Sequence, residues 1–554
     1  MSIGVDIGTS RLRINQVIAE PLHIDTSGEH FTQSSVAVWD LIAKWLPQLD
    51  FRPTNAIAIT ATCSLVVLEL TTYGGHRVLR PFNCLADPKH YTSADDHDVW
   101  MWKDQRALRQ ADKLTEALKG TVWLQQLGGR ITPEMGVAKL KWLSDHYRDR
   151  HLVVFEYYDW IQYLLLHGGY HRDSDGHVYF DYHPVTTHYS ADSAAIDGSV
   201  KGWGAEPWAR FGIGSHITAG CSNSDGTMLP LGVPVGDVHP TILSLTDAKS
   251  MIVASGGIDA YAAWLSIYRP DANSVQMIAG TSTCFFVADH RRRALPIPGI
   301  WGPYKVVGHD HVNLFEFGQS VTGKLFERII VDLCNLAGEV SYEDPFRFLE
   351  HKTEELEQLY NHHISEIIKP YMYYGDLVGN RSPYNLSTMS ELVIDGHNSR
   401  PDLASVLDFS VESMVVRYNL TMEHLAFQTR QLIECYCQGA QTSVDGIVVV
   451  GSQAQNDRLL QLIANVTGLK VLRTQTSMGE FGGAIGATMM AKMARRLIGV
   501  RVSKSTYHEA LVQSVEPGRR YQEFTPRPNN VLSNKYRFYC QFADLQHRFK
   551  QAMG

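Results

Sequence analysis

Ser2-Ile-Gly-Val-Asp-Ile-Gly-Thr-Ser10 opens the chain, and Gln276-Met-Ile-Ala-Gly-Thr-Ser-Thr283 restarts the same pattern near its middle. In the first copy a short apolar strand breaks at Gly8-Thr9-Ser10, and Leu12 to Ala19 is predicted as its return strand. In the second, Gln276 to Ala279 is predicted as a strand, Gly280 to Thr283 as the turn, and Cys284 to Val287 as the return strand. Gly-Thr-Ser in such a turn suits a phosphate. The turn amides form an anion nest, and a carboxylate at the strand end, here Asp6, faces a metal ion. Gly8, Thr9 and Ser10, with Gly280, Thr281 and Ser282, are therefore candidate phosphate ligands. One string alone is a modest signal, because an Asp-Gly turn in any hairpin gives one like it. Two copies far apart in one chain predict a duplicated α/β domain.

Outward from these hairpins the apolar periodicity supplies the remaining elements. Helices are predicted over Val36 to Leu46, Thr115 to Leu127, Val411 to Ile433 and Gly483 to Leu497. Another, striped by Leu459, Leu460, Ile463 and Val466, ends at Gly468. Strands are predicted over Ala56 to Thr60, Val66 to Leu70, Gly446 to Val450 and Lys470 to Leu472. Gly168 to about Pro240 is loop-rich, and from about Lys504 the tail is polar, aromatic and less periodic.

Two junctions carry candidate chemistry. Gly451-Ser-Gln-Ala-Gln-Asn-Asp457 joins a buried strand to a helix, where small residues admit a nucleotide and the helix N-terminus favours anions. An ordinary strand-to-helix turn would also use Gly and Asn, but the two hairpins in the same chain favour a nucleotide. Asp259, ending Gly256-Gly-Ile-Asp259, follows a predicted strand (Met251 to Ala254) and precedes the second hairpin, a fitting place for a general base. Its structural alternative is a helix N-cap. A third string, Gly318-Gln-Ser-Val-Thr-Gly-Lys324, fits the first positions of a P-loop, but Leu325 stands where Ser or Thr must ligate magnesium. It is predicted to be a polar turn near a substrate. Asp95-Asp-His-Asp98 is read as solvated surface.

The 554 residues imply about two to four domains. With 44% apolar and 19% charged residues the balance is that of a soluble globular protein, and a net charge of -8 excludes a general affinity for nucleic acid or anionic membrane. No apolar run approaches the roughly 20 residues of a membrane span, and Asp6 interrupts the N-terminus before a signal region forms. Eight scattered cysteines without a CxxC pair read as reduced thiols of a cytoplasmic protein.

In order along the chain, these strings resemble the FGGY carbohydrate kinases, most closely their ribulokinase-like, pentulose-kinase branch. The strings are Asp6-Ile-Gly-Thr-Ser10, Ala61-Thr-Cys-Ser-Leu65, Trp102-Lys-Asp-Gln-Arg106, Pro298-Gly-Ile-Trp-Gly-Pro-Tyr304, Glu316-Phe-Gly-Gln-Ser320 and Gly379-Asn-Arg-Ser-Pro383. The Gly280 hairpin and the run from Gly451 to Gly486 complete the set, and the likeness spans residue 3 to about 500. It implies an α/β fold of two actin-like ATPase (ribonuclease H-like) lobes with an ATP cleft between them. Residues 1–265 would form the N-terminal lobe, 266–503 the C-terminal lobe and 504–554 a tail. It also implies a kinase that uses ATP and Mg2+ to phosphorylate a ketopentose such as D-ribulose at its terminal hydroxyl, O5. The partners would be a small-molecule sugar and ATP, without nucleic acid or membrane, and a homodimer is a possible assembly.

By resemblance, Asp259 is the base that deprotonates the attacking hydroxyl. Asp6 and Thr9, with Gly280, Thr281 and Ser282, hold phosphates and magnesium. Gly451, Ser452 and Asn456 lie on the adenosine side, and Ala61, Lys139 and Glu316 contact the ketopentose. Asp104, Arg106 and Gln319, in matching strings, are placed with the substrate. The chain departs from the family at Ser452, where a second glycine is usual, and in an irregular Glu20 to His30; both bear on ATP affinity. The alternatives are a kinase for xylulose, another pentulose or a polyol, an actin-like conformational module, and a non-catalytic sugar sensor. Actin-like modules lack the strings at Ala61, Glu316 and Gly379, and retention of Asp259 argues against a sensor.

Overall fold

The computed structural model describes residues 2–27, 30–49, 54–86, 97–184, 197–222, 229–270, 272–291, 294–304, 312–337, 344–395, 399–400, 410–474, 481–515 and 520–553. Ile3, Val5 and Ile7 of the strand Ser2–Ile7 are fully buried, so this strand needs neighbours on both edges and cover on both faces. On one edge it runs parallel to Thr54–Ala61, which brings Asp6 opposite Thr60; on the other it pairs antiparallel with Arg11–Ile14, which brings Asp6 opposite Arg13. The full sheet is ordered Pro234–Asp237, Ser250–Ile258, Thr54–Ala61, Ser2–Ile7, Arg11–Ile14, Ile18–Pro21.

A second sheet repeats this plan. Its order is Trp301–Tyr304, Asn313–Gln319, Thr283–Asp289, Ser274–Ala279, Gly446–Val450, Lys470–Thr474, Tyr521–Phe524. In each sheet a central strand continues through a hairpin into antiparallel strands on one side, two in the first sheet and three in the second. On its other side lie two parallel strands and an antiparallel edge. The repeated Gly-Thr-Ser strings thus mark a repeated topology, and both hairpins project from the same end of the equivalent strand.

The helices Asp259–Ile267 and Gly482–Leu497 pack on each other, and the latter also lies against Ser2–Ile7. Glycine sets how close they come. A Cβ on Gly486 would sit 1.8 Å from the Ala262 carbonyl oxygen, and one on Gly4 would sit 2.2 Å from the Thr488 nitrogen. The buried 30-residue helix Val411–Ala440 and the three-stranded sheet Tyr371–Tyr374, Leu392–Asp395, Ser399–Arg400 complete the second half. In the first half a nine-stranded sheet runs through Leu65–Tyr73 and Val99–Trp100. The pairing of Leu65 with Trp100 draws the segments at Cys63 and Trp102 together, and the Trp102 amide donates to Ser64 Oγ at 3.1 Å.

Several elements differ from the sequence expectation, each for a local reason. Leu12 to Ala19 is not one return strand but two, reversing at Asn15, whose φ of 51° is left-handed and whose Oδ1 accepts the Gly4 amide at 2.9 Å. Thr115 to Leu127 is broken: Leu108–Ala117 ends before Gly120, and Thr121 caps a new helix over Val122–Gln126. Within the loop-rich middle the described residues form the strands Val178–Asp181 and Ile217–Ala219 and the helix Ala205–Phe211. The aromatic tail holds the helix Lys504–Ser514, the edge strand Tyr521–Phe524 and the helix Asn530–Met553, and it buries Tyr507, Tyr536 and Tyr539. Its aromatic spacing reports anchoring against two different partners, which hides the period. Of the acidic cluster read as solvated surface, Asp95 and Asp96 lie outside the described residues, and Asp98 is instead fully buried, accepting the Ser35 amide at 2.8 Å. All eight cysteines are free, and no described helix is long and apolar enough to cross a membrane.

Candidate active site

Asp6 ends the first central strand inside a buried setting. One carboxylate oxygen, Oδ2, lies 3.3 Å from Arg13 Nη1, while Oδ1 is buried without a hydrogen-bond partner. Burial, helped by the charge of Asp259 and opposed by Arg13, pushes its pKa up to about 7. Gly483 covers it so closely that a Cβ there would stand 2.5 Å from the carboxylate. Thr9, in the following turn, accepts from Trp102 Nε1 at 3.1 Å through Oγ1 and from Gln33 Nε2 at 3.0 Å through its carbonyl. The Gly8 amide closes the turn on the Arg11 carbonyl at 3.0 Å, and Ser10 is exposed.

The second hairpin is braced from the loop that follows the strand Gly446–Val450. Gln453 Nε2 donates to the Gly280 carbonyl at 2.6 Å and to Thr322 Oγ1 at 2.8 Å, and the Gly323 amide donates to the Thr281 carbonyl at 2.9 Å. Gly451 adopts φ 111°, and a Cβ there would meet the Ala279 carbonyl oxygen at 2.3 Å, so the close approach of loop to hairpin requires glycine. Ser452 opens a 3-10 turn with an exposed side chain. Asn456 caps the helix Asp457–Thr467, accepting the Leu459 amide at 2.9 Å and donating to the Tyr418 hydroxyl at 2.6 Å.

Asp259 is the first residue of its helix, and the N-cap position belongs to Ile258, which makes no side-chain cap. The carboxylate accepts its neighbour's amide, that of Ala260, at 2.8 Å. Burial raises its pKa to about 6, partly offset by that amide and by Arg13.

A cavity of about 220 Å³ joins these groups: Asp6, Thr9, Asp259, Gly280, Thr281, Ser282 and Glu316 all line it. Glu316, buried on the strand Asn313–Gln319, has a pKa pushed up to about 7 by burial against the opposing charge of Arg381. The other expected residues do not line the cavity. Ala61 is buried at the end of its strand, while Thr62 and Cys63 just beyond it reach the cavity. Lys139 is fully buried and donates to the Met101 carbonyl at 2.7 Å. Gln319 donates to the Leu425 carbonyl at 2.9 Å. Arg106 pairs with Asp104 at 2.7 Å, stacks on Trp100 and donates to the Cys84 carbonyl. Asp104 in turn accepts the Phe31 amide at 3.0 Å. Although burial opposes it, Arg106 keeps the Asp104 pKa below the ordinary value. This pair braces the Trp102 segment.

Sequence reasoning did not single out Cys63, Trp102, Glu134, Cys284, Arg381 and Gly483, which also line the cavity. Cys63, Trp102 and Arg381 stand inside strings already noted; Glu134 carries no pattern of its own. The Gly318 to Lys324 string is no phosphate loop. Gly318 lies in a strand opposite Cys284, and Lys324 is an exposed residue in the first turn of the helix Thr322–Ala337. A larger cavity of about 360 Å³, between Glu350, Asn419, Glu423 and Arg458, is lined by neither hairpin and not by Asp259.

The hairpins and the Asp6–Asp259 pair also fit a divalent cation. Mg2+ takes one or two carboxylates with phosphates and waters, and Asp6 Oδ1 offers a buried oxygen with no partner in the protein. Residues 275–494 match the FGGY family of carbohydrate kinases, C-terminal domain. That segment carries the C-terminal domain of the family. Enzymes of this family are ATP-dependent phosphotransferases, and so is this kinase. It is 26% identical over 524 residues to Protein MPA43 of Saccharomyces cerevisiae, covering 89% of this chain and 86% of that one. A D-ribulokinase of the same yeast is 26% identical over 526 residues, covering 85% and 68%. A crystal structure of xylulose kinase from Rhodospirillum rubrum superposes with a TM-score of 0.67 at 16% identity, over 99% of both chains. The kinase thus has the fold of the FGGY sugar kinases, two actin-like ATPase lobes.

Proposed function

We propose that this kinase transfers the γ-phosphoryl of MgATP to the terminal hydroxyl, O5, of a ketopentose of the D-ribulose type. The observation that carries the proposal is Asp259, a half-buried carboxylate with a pKa raised to about 6, in one cavity with both Gly-Thr-Ser hairpins and with Glu316. A base poised near neutrality is matched to taking a proton from a sugar hydroxyl. Two ribulokinases among the relatives, one from yeast and one from Mycolicibacterium smegmatis, support the ketopentose. In this proposal residues 1–265 supply the first hairpin and the acceptor side, 266–503 supply the second hairpin and the adenosine side, and 504–554 form the C-terminal segment. Free cysteines fit a cytoplasmic setting.

Each residue has a defined task. Glu316 orients the acceptor through its hydroxyls. Asp259 takes the proton of the attacking hydroxyl, and the hairpin amides steady charge on the transferring group. Asp6, with its unpartnered oxygen, would hold Mg2+, which supplies charge neutralisation when bound. Gly451 and the loop behind it set the distance of the adenosine side from the second hairpin.

ADP release measured over D-ribulose, L-ribulose, xylulose, aldopentoses and polyols tests the acceptor class. A ketopentose is expected to give the highest kcat/KM, and a preference for a polyol or aldose would overturn the proposal. Glu316→Ala is expected to raise the KM for the sugar far more than that for ATP. A buried hydrogen bond to a charged group is worth on the order of 1.5 to 3 kcal/mol, or roughly ten- to a hundredfold. Equal damage to both constants would remove Glu316 from the acceptor site.

A further inference from the structure

We propose that Arg381 is the cationic donor that grips the acceptor's oxygens, and that Glu134 and Glu316 beside it restrict the site to neutral polyhydroxylated acceptors and turn sugar acids away. The inference rests on the carbohydrate-kinase reading and names the side chains that define its acceptor class.

Arg381 is held in place before any ligand arrives. Its guanidinium carbon lies 4.5 Å from the centroid of the Trp301 ring, and Nη1 lies 3.7 Å from Cys284 Sγ. The turn that carries it is fixed on both sides. Asn380 donates to Asp376 at 2.8 Å and accepts the Tyr384 amide at 2.9 Å, while Gly379 has φ 87° and a Cβ there would meet Ser387 Cα at 2.5 Å. Such support gives a side chain a defined aim.

The guanidinium is nevertheless short of acceptors. Nη2 is 3.6 Å from Glu134 Oε1 and 3.9 Å from Glu316 Oε1, beyond ordinary hydrogen-bond distance, and Nε is buried without a partner. Five N–H donors on a buried cation call for oxygen atoms. All three charged groups line the cavity that holds Asp259, so an acceptor seated there can supply them. Sugar hydroxyls suit both signs of charge, donating to the glutamates and accepting from Arg381. A carboxylate on the acceptor would instead meet two glutamates against one arginine, and like charges brought together are costly. The raised pKa of Glu316, about 7, shows how poorly the pocket already tolerates its own negative charge. Lys139, the cation expected here, is spent on the Met101 carbonyl behind the pocket.

Calorimetric titration of the purified kinase with D-ribulose and with D-ribonate, the acid of the same carbon number, tests this. Wild type is expected to bind D-ribulose at least tenfold more tightly than D-ribonate. Arg381→Lys, which keeps the charge but loses the fork, is expected to raise the D-ribulose Kd at least tenfold while the MgADP Kd stays within twofold. Glu134→Gln is expected to narrow the ribulose-to-ribonate preference at least tenfold. Wild-type D-ribulose affinity in Arg381→Lys, or equal affinity of wild type for the two ligands, would overturn the inference. If Arg381→Lys also loses MgADP binding or thermal stability, the Glu134→Gln preference decides, because that variant keeps the guanidinium. Wild-type turnover of the acceptor panel stands apart. If another neutral acceptor replaces D-ribulose there, the ketopentose assignment changes and that acceptor becomes the probe with its own acid; turnover of a sugar acid alone would end both proposals.

Discussion

Asp259→Asn is expected to lower kcat by roughly 10²- to 10⁴-fold, the usual weight of a positioned general base, with little change in sugar or ATP affinity. Asparagine keeps the shape and the bond from the Ala260 amide but cannot take a proton. An N-capping role would predict near wild-type activity, since Asn caps about as well as Asp, but Ile258 holds that position. The same substitution carries a second, opposite signature. Burial raises the pKa of Asp259 to about 6 and that of Asp6 to about 7, from an ordinary 3.8. Between 3.8 and those values the folded protein holds more protons than the unfolded chain, so stability falls as pH rises through the window. The charge of Asp259 adds to the rise at Asp6. Activity runs the other way, because the base must be ionised, so kcat/KM is expected to decline as pH drops through about 6. At pH 8, without metal or nucleotide, Asp259→Asn should therefore melt at a higher temperature than wild type while turning over far more slowly. A less stable and fully active variant would show that Asp259 is structural.

Gly483→Ala is expected to reduce kcat/KM for MgATP by about a hundredfold, the scale on which a misplacement of about an ångström acts. A methyl group there would stand 2.5 Å from the Asp6 carboxylate, so either the helix or the carboxylate must move. Gly482→Ala is the matched control: its Cβ meets nothing closer than Val450 Cγ2 at 3.3 Å, and MgATP kinetics should stay within a few-fold of wild type. Equal kinetics for the two variants would detach Asp6 from the phosphate and metal site.

What was legible in the sequence and what was not have separate physical causes. The repeated hairpins were readable because strand, Gly-Thr-Ser turn and return strand are set by local backbone geometry, and local geometry leaves a local string. Asp259 was readable because the junction from strand to helix fixes its position. Gln319, Asp104 and Arg106 stand in recognisable strings and Lys139 is placed by resemblance, yet their side chains turn to the Leu425 and Met101 carbonyls and to each other. A string gives the residue, not the direction in which its side chain leaves the backbone. Glu134 and Arg381 come from distant loops that meet only in the folded cavity, so no spacing between them was available to read. The split of Leu12 to Ala19 turned on the left-handed backbone of Asn15, which an apolar alternation cannot register.

The most direct test follows the phosphoryl group itself. With ATP labelled at its γ-phosphate and D-ribulose in excess, the label should appear in a pentulose phosphate esterified at O5, dependent on both Mg2+ and Asp259. Label found only in inorganic phosphate, at a rate indifferent to the sugar, would contradict a kinase and leave an actin-like nucleotide hydrolase in its place.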